Sequence, residues 1–250
     1  MLCQSVSSRW RSTAFSLAYI AAVVALAHLA GFFLPGQWWL PVLNGGLFFL
    51  LFYGPLSEGD YSAAVRLALI WAAITVLVQV GLTLLWPGAM ERAVWRGVSY
   101  REEMFGWIRT GAGAEGDIRQ FLPVHLMHLG LFSVLSLVSG GLFGLVMGAA
   151  MLGYMDFYAG SLIAASGGSA SAIFLGWQVW AVARVAGFIV AGTALGAVFA
   201  HRPLDLLAKR NRVLRMLGLA LGLIALDILL KWTLAETYRQ TLAAALTGQP

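Results

Sequence analysis

An all-α bundle of about seven transmembrane helices is the fold class that the sequence predicts, and three observations predict it. Hydrophobic residues fill 60% of the 250 positions and charged residues only 11%, where a soluble domain carries about 25% charge; so little charge could not cover a surface in water. Seven segments are apolar over the roughly 17–25 residues that a helix needs to cross a bilayer. One of them, Ala172 to Ala200, holds a single cation, Arg184. A lone cation at that depth costs roughly 2.5–3.5 kcal/mol on insertion scales. It therefore predicts a polar interior with an acidic or carbonyl partner.

The first span, 13–34, follows Arg9 and Arg11. It is longer than the apolar core of a signal peptide, and further spans follow it, so a retained helix is expected. The second, 38–56, opens with Gln37-Trp38-Trp39 and Pro41 and contains Asn44-Gly45-Gly46. A re-entrant hairpin is the alternative there. The third is 62–86. Spans four to seven are 121–138, 141–165, 172–200 and 213–234. Ser139-Gly140-Gly141 reads as a tight turn that makes spans four and five an antiparallel hairpin. Gly140, Gly144 and Gly148 recur every four residues and predict close helix packing or an oligomer face; Gly192 and Gly196 repeat the device in span six.

Charge supplies an orientation. The link 201–212 is the most basic, with Arg202, Lys209, Arg210 and Arg212 (and Arg215 just beyond) against Asp205 alone. Basic links favour the cytoplasm. Counting back through seven spans puts Arg9 and Arg11 on the same side, which argues for a full second crossing. The expectation is a cell (inner) membrane protein with a cytoplasmic N-terminus and an outside C-terminus. The link 87–120 then faces outward. It carries five arginines against five acids and reads as an amphipathic interfacial segment, or a lid, broken at Gly111-Ala112-Gly113-Ala114-Glu115-Gly116. Trp38, Trp39, Trp86, Trp95, Trp107, Trp177 and Trp232 fall near the outer span ends and are expected as headgroup-level anchors.

Several classes are excluded. The net charge of +5 fits cytoplasmic Lys and Arg better than nucleic-acid binding, because no basic stripe with interleaved aromatics lies outside the spans. Cys3 is the only cysteine, so no intrachain disulfide or cysteine metal motif forms. No motif requires a cofactor. The expected partners are the lipid bilayer and either other membrane subunits or a second copy.

Two polar groups are candidates for chemistry. Arg184, Asp156, Asp227 and Lys231 form an intramembrane set. Asp227 and Lys231, four residues apart, can pair along one helix, and Arg184 then needs Asp156 or a share of Asp227. His125 and His128, at i and i+3, share a helix face at the outer end of span four. With Glu102 or Glu103, and His28 as a further nitrogen, they offer acid–base groups or metal ligands; whether they bind metal stays open.

The pair Glu102-Glu103 and the stretch Phe121-Leu122-Pro123-Val124-His125 resemble the EExxxR and FxxxH motifs of CAAX-processing-type intramembrane proteases, and the stretch Phe143–Ala165 is similar to that family's later helix. The resemblance implies glutamate and histidine hydrolysis. It covers under half of the chain, Trp107 stands where the motif has Arg, and the family's last histidine is absent. Trp95-Arg96 and Gly167-Gly168-Ser169-Ala170 resemble rhomboid motifs, but no histidine follows Ser169 within a span to serve as its base. The leading expectation is therefore a non-enzymatic transporter component or complex subunit with a polar core at Arg184. A membrane hydrolase using Glu102, Glu103, His125 and His128 is the alternative.

Overall fold

The computed structural model describes residues 10–201 and 203–247, with the side chains of 203–206 left aside. Cys3, Arg9 and Arg202, and the side chain of Asp205, lie outside what is described. The described chain is all α. In order it forms α1 (Thr13–Phe33), α2 (Trp39–Glu58), α3 (Tyr61–Leu85), α4 (Pro87–Ala93), α5 (Gly97–Thr110), α6 (Ile118–Val138), α7 (Leu142–Ala165), α8 (Ala170–Leu175), α9 (Val179–Ala200) and α10 (Pro203–Thr247). Among the described residues, seven segments are long and apolar enough to cross a membrane, with α8 and α9 together making one of them.

Helix starts follow from local chemistry. Ser12 Oγ accepts from Phe15 N, Asp60 Oδ1 from Ala63 N and Asp117 Oδ1 from Arg119 N, each satisfying an amide that the first turn leaves free. Gly59 (φ 80°) ends α2 in the left-handed region where glycine carries no Cβ penalty. The second span is one unbroken helix, so its glycines do not make a hairpin. They serve packing instead: a Cβ on Gly45 would sit 2.6 Å from Val146 N, whereas one on Gly46 would meet nothing within 4 Å. Asn44, fully buried, accepts from Trp71 Nε1 (2.8 Å) and donates to Thr75 Oγ1 (3.4 Å).

The two ends of the bundle are distinct. On one, Arg11 pairs with Glu58 (2.5 Å), Arg212 Nη1 donates to Gly59 O (3.1 Å) and Tyr61 meets His201 edge-on. The basic groups flanking the first and last spans therefore share an end. On the other lie α4 and α5. Gln37 Nε2 donates to Glu91 O (3.3 Å), and Trp38 packs on Trp95 (5.0 Å). We call this the link end. The segment between spans three and four folds into two short helices that close it over, with Met90, Val94, Met104, Trp107 and Ile108 buried in a cluster with residues of α7 and α10.

Four expectations are corrected. The last helix is not 213–234 but runs from Pro203 to Thr247, about 68 Å at 1.5 Å per residue, twice a hydrocarbon core of about 30 Å. Most of the stretch 201–212 is thus its first turns rather than a loop, because nothing from Leu204 to Leu217 breaks a helix. Span six is interrupted at 176–178, where Gln178 is extended (φ −66°, ψ 140°). Trp107 is 1% exposed and belongs to the core, not to a belt at the headgroups. The glycines at 140, 144 and 148 do not act alike, although Gly144 and Gly148 line one cleft. Gly140 (φ 65°) belongs to the turn into α7, Gly144 faces Ser136 within the hairpin, and Gly148 meets nothing within 4 Å.

Candidate functional site

Three long helices each contribute two side chains one turn apart to a single place: Phe121 and His125 from α6, Arg184 and Phe188 from α9, Asp227 and Lys231 from α10. An i, i+4 pair projects from one helix face, so the convergence follows once these faces pack together. Arg184 lies five residues past Val179, about 7.5 Å along α9. The cluster therefore occupies the half of the bundle nearer the link end, not its middle.

The centre is a fork. Arg184 donates from Nε to Asp227 Oδ2 and from Nη2 to Asp227 Oδ1, both at 3.0 Å. Planar guanidinium and planar carboxylate match in this geometry. Asp227 is fully buried and Arg184 is 9% exposed. His125 Nε2 stands 3.5 Å from Asp227 Oδ2, and its ring stacks on Phe121 (4.9 Å, 21°). The other face of the site is cation–π contact: Arg184 Cζ lies 5.1 Å from the Phe121 centroid and Lys231 Nζ 3.4 Å from it.

Lys231 does not pair with Asp227. Its Nζ is 3.0 Å from Glu115 Oε1, a buried carboxylate carried by the glycine-rich segment between α5 and α6. Two cations thus meet two anions, and the four charges cancel. Above them a cavity of about 120 Å³ opens at the link end, lined by Glu115, Phe121, Lys231, Trp232 and Glu236. Below, a narrow apolar cleft of about 50 Å³ runs between α6, α7 and α9 past Phe132, Gly148, Met151 and Phe188, and includes Arg184 in its wall.

The remaining candidates lie elsewhere. Asp156 is fully buried on α7, and its Oδ1 accepts from Trp177 Nε1 at 3.0 Å; it is not the partner of Arg184. Glu102 and Glu103 are exposed on α5, and neither shares a hydrogen bond or ion pair with His125 or His128 among the described contacts. His128 is half-buried, and His28 is buried on α1, bonded through Nδ1 to Val24 O (2.7 Å). Among the described residues no three His, Cys, Asp or Glu side chains stand close enough to hold a metal ion.

Sequence reasoning named Glu115, Phe121 and Trp177 but gave none of them to the polar core: Glu115 stood in the breaker of the link, Phe121 in the FxxxH stretch, and Trp177 among the headgroup anchors, whereas its indole bonds buried Asp156. Phe121 was findable, because it precedes His125 by one helical turn. Glu115 was not, because its position depends on the path of an irregular segment. It also overlooked the stripe Trp71, Thr75, Gln79 and Thr83, which recurs every four residues on α3 and is buried along its length. Gln79 Nε2 donates to Gly153 O there, and Thr83 Oγ1 to Gln79 O (2.8 Å).

Comparison with known proteins finds no matching family model, no matching curated protein and no matching solved structure.

Proposed function

We propose that this integral membrane protein is a non-enzymatic transport subunit whose working site is the cluster of Arg184, Asp227, His125, Lys231 and Glu115. One observation carries the reading: the charge chain does not end within the bundle but continues from Arg184 and Asp227 through Lys231 and Glu115 to a polar cavity at the link end. A pair needed only to fix helix register has no use for such an outlet. Intramembrane ionisable groups that reach a cavity commonly mark a substrate path. The cavity wall presents an ammonium and carboxylates side by side with two aromatic rings, which suits a small solute bearing both signs of charge. The charge bias of the basic end supports an orientation with that end in the cytoplasm and the link end outside.

The competing reading is a hydrolase that uses Glu102, Glu103, His125 and His128. It draws its support from the gathering of acids and imidazoles in the link-end half. The two are separated by one pair of measurements on purified protein in liposomes. Thermal melts against a panel of free amino acids at millimolar concentration should show a ligand that raises the midpoint in the wild type and not in Lys231→Met/Glu115→Leu. Hydrolysis of a fluorogenic peptide set, abolished by Glu102→Gln or His125→Ala, would overturn the transport reading.

A further inference from the structure

Asp156 lies outside the cluster, and its surroundings are unlike those of Asp227. Its side chain is fully buried on α7. Oδ1 accepts one hydrogen bond from the Trp177 indole, and Oδ2 has no partner. Among the described residues no Lys, Arg or His stands within ion-pair distance of it. Arg101 of α5 is occupied over the Phe157 ring (5.4 Å) and in an ion pair with Glu91. Arg184, the basic group of α9, is committed to Asp227. Tyr154 and Tyr158, two residues to either side of Asp156, pack on Tyr100 and away from it. A carboxylate buried this deeply without a counter-charge is strongly disfavoured.

The second observation is the interruption of span six. Trp177 belongs to the break at 176–178, and Gln178, 3% exposed, leaves its Nε2 without an acceptor beside it. Irregular backbone at membrane depth is tolerated only where it is buried in protein or lines a cavity. The break holds the indole N–H against Asp156, so the interruption and the lone acid form one feature. A crevice lined by Leu152, Trp177, Val182 and Val185 runs beside the break.

We propose that Asp156 is a proton-binding site of this protein, loaded in the resting state and exchanging through the break in span six. The chemistry of the donor set selects the ligand. A metal cation such as sodium or calcium needs several oxygen ligands. Here the Trp177 N–H already faces Oδ1, so a single carboxylate oxygen remains free. One oxygen suffices for a proton. The bond formed is Oδ2–H, the proton comes from and returns to water, and no electrons move. The proposal does not rest on the transport reading, since it concerns a different set of residues.

The test uses the full chain in liposomes with dicyclohexylcarbodiimide, an apolar reagent that adds only to protonated carboxyl groups. The proton passes to the carbodiimide nitrogen, the carboxylate oxygen attacks its central carbon, and the adduct rearranges to an N-acylurea. Mass analysis should place the adduct on Asp156 and not on Asp227, with yield falling as the medium is made alkaline. Infrared difference spectra provide a second readout that needs no reagent access. A protonated-carboxyl carbonyl band should be present in the wild type and missing in Asp156→Asn, which keeps the oxygen that faces Trp177. An adduct on Asp227 in place of Asp156, protection by sodium at constant pH, or identical infrared spectra for wild type and Asp156→Asn would overturn the proposal.

Discussion

Removing the Arg184 guanidinium should destabilise the protein by about 3 kcal/mol, towards the lower end of the roughly 3–5 kcal/mol that breaking one side of a buried pair costs. The structure sets the size. Asp227 has no exposed surface and takes both of its hydrogen bonds from Arg184 at 3.0 Å, so Arg184→Ala leaves a carboxylate with no donor in place. His125 Nε2 is already 3.5 Å away and Lys231 one turn along the same helix, and these can move in to recover part of the loss. In a chain of this size 1 kcal/mol moves a melting midpoint by roughly 2–4 °C. The expected drop is therefore about 6–12 °C.

The assay is thermal unfolding of detergent-solubilised protein followed by tryptophan fluorescence, for three variants. Arg184→Ala gives the full loss. Arg184→Lys should recover less than half of it, because an ammonium cannot reproduce two parallel N–H bonds. Arg184→Met with Asp227→Leu should return to near the wild-type midpoint, because an apolar replacement of a whole buried pair is often neutral or stabilising. A midpoint for Arg184→Ala within about 2 °C of wild type, or a double variant worse than the single, would refute the reasoning.

Gly45→Ala should cost about 1–3 kcal/mol by overpacking, because the new methyl meets the backbone of α7 at Val146, while Gly46→Ala is neutral or slightly stabilising; chemical unfolding of the two distinguishes them. Gly144→Leu should lower yield and melting midpoint more than Gly153→Leu, since Gly144 faces Ser136 across the hairpin whereas the nearest side-chain atom to a Cβ on Gly153 is the end of Gln79, at 3.5 Å. Hydrogen bonds from Arg119 N and Gln120 Nε2 hold the Asp117 carboxyl below the usual carboxylate range. Its contribution is therefore present above the unfolded pKa of about 4 and lost as pH falls through the lower folded value; Asp117→Asn should flatten this acid dependence in melts taken across that range. A cysteine placed at Arg210, with Cys3 replaced, should be labelled by an impermeant maleimide only after cells are opened, and labelling of intact cells would reverse the proposed orientation.

The spans are legible in the sequence because the bilayer imposes a length and a composition that no packing detail alters. The seven segments appear within a few residues of their expected bounds, except where that rule has no force. Beyond the apolar stretch of α10, nothing in hydropathy says whether Lys209, Arg210 and Arg212 continue a helix, and they do. The interruption at 176–178 was hidden for the opposite reason. Gly176-Trp177-Gln178 is apolar enough to be read through, and the hydrogen bond from Trp177 to Asp156 that forms at the break is a tertiary contact that hydropathy does not encode. Depth was misjudged with it. Taking 172–200 as one rod puts Arg184 near mid-membrane, whereas the break starts a new helix only five residues before it.

The partners of the charges show where sequence reasoning reaches its limit. Asp227 and Lys231 sit at a spacing that makes a pair on any isolated helix, and an isolated helix is all that spacing can describe. In the bundle both oxygens of Asp227 are taken by the guanidinium fork, which forms two parallel bonds where an ammonium forms one. Lys231 is then left facing the link end, one turn nearer to it than Asp227. Its charge needs a partner of its own, and Glu115 meets it from the segment between α5 and α6. The loss of the local pair thus ties that irregular segment to the core. Because Lys231 and Glu115 are both buried, the segment cannot lift away without leaving two charges unpaired, unless a solute carrying both signs replaces each partner as it leaves. On the proposed transport reading, the contact that fastens the link end down is also the one that a zwitterionic solute would have to open.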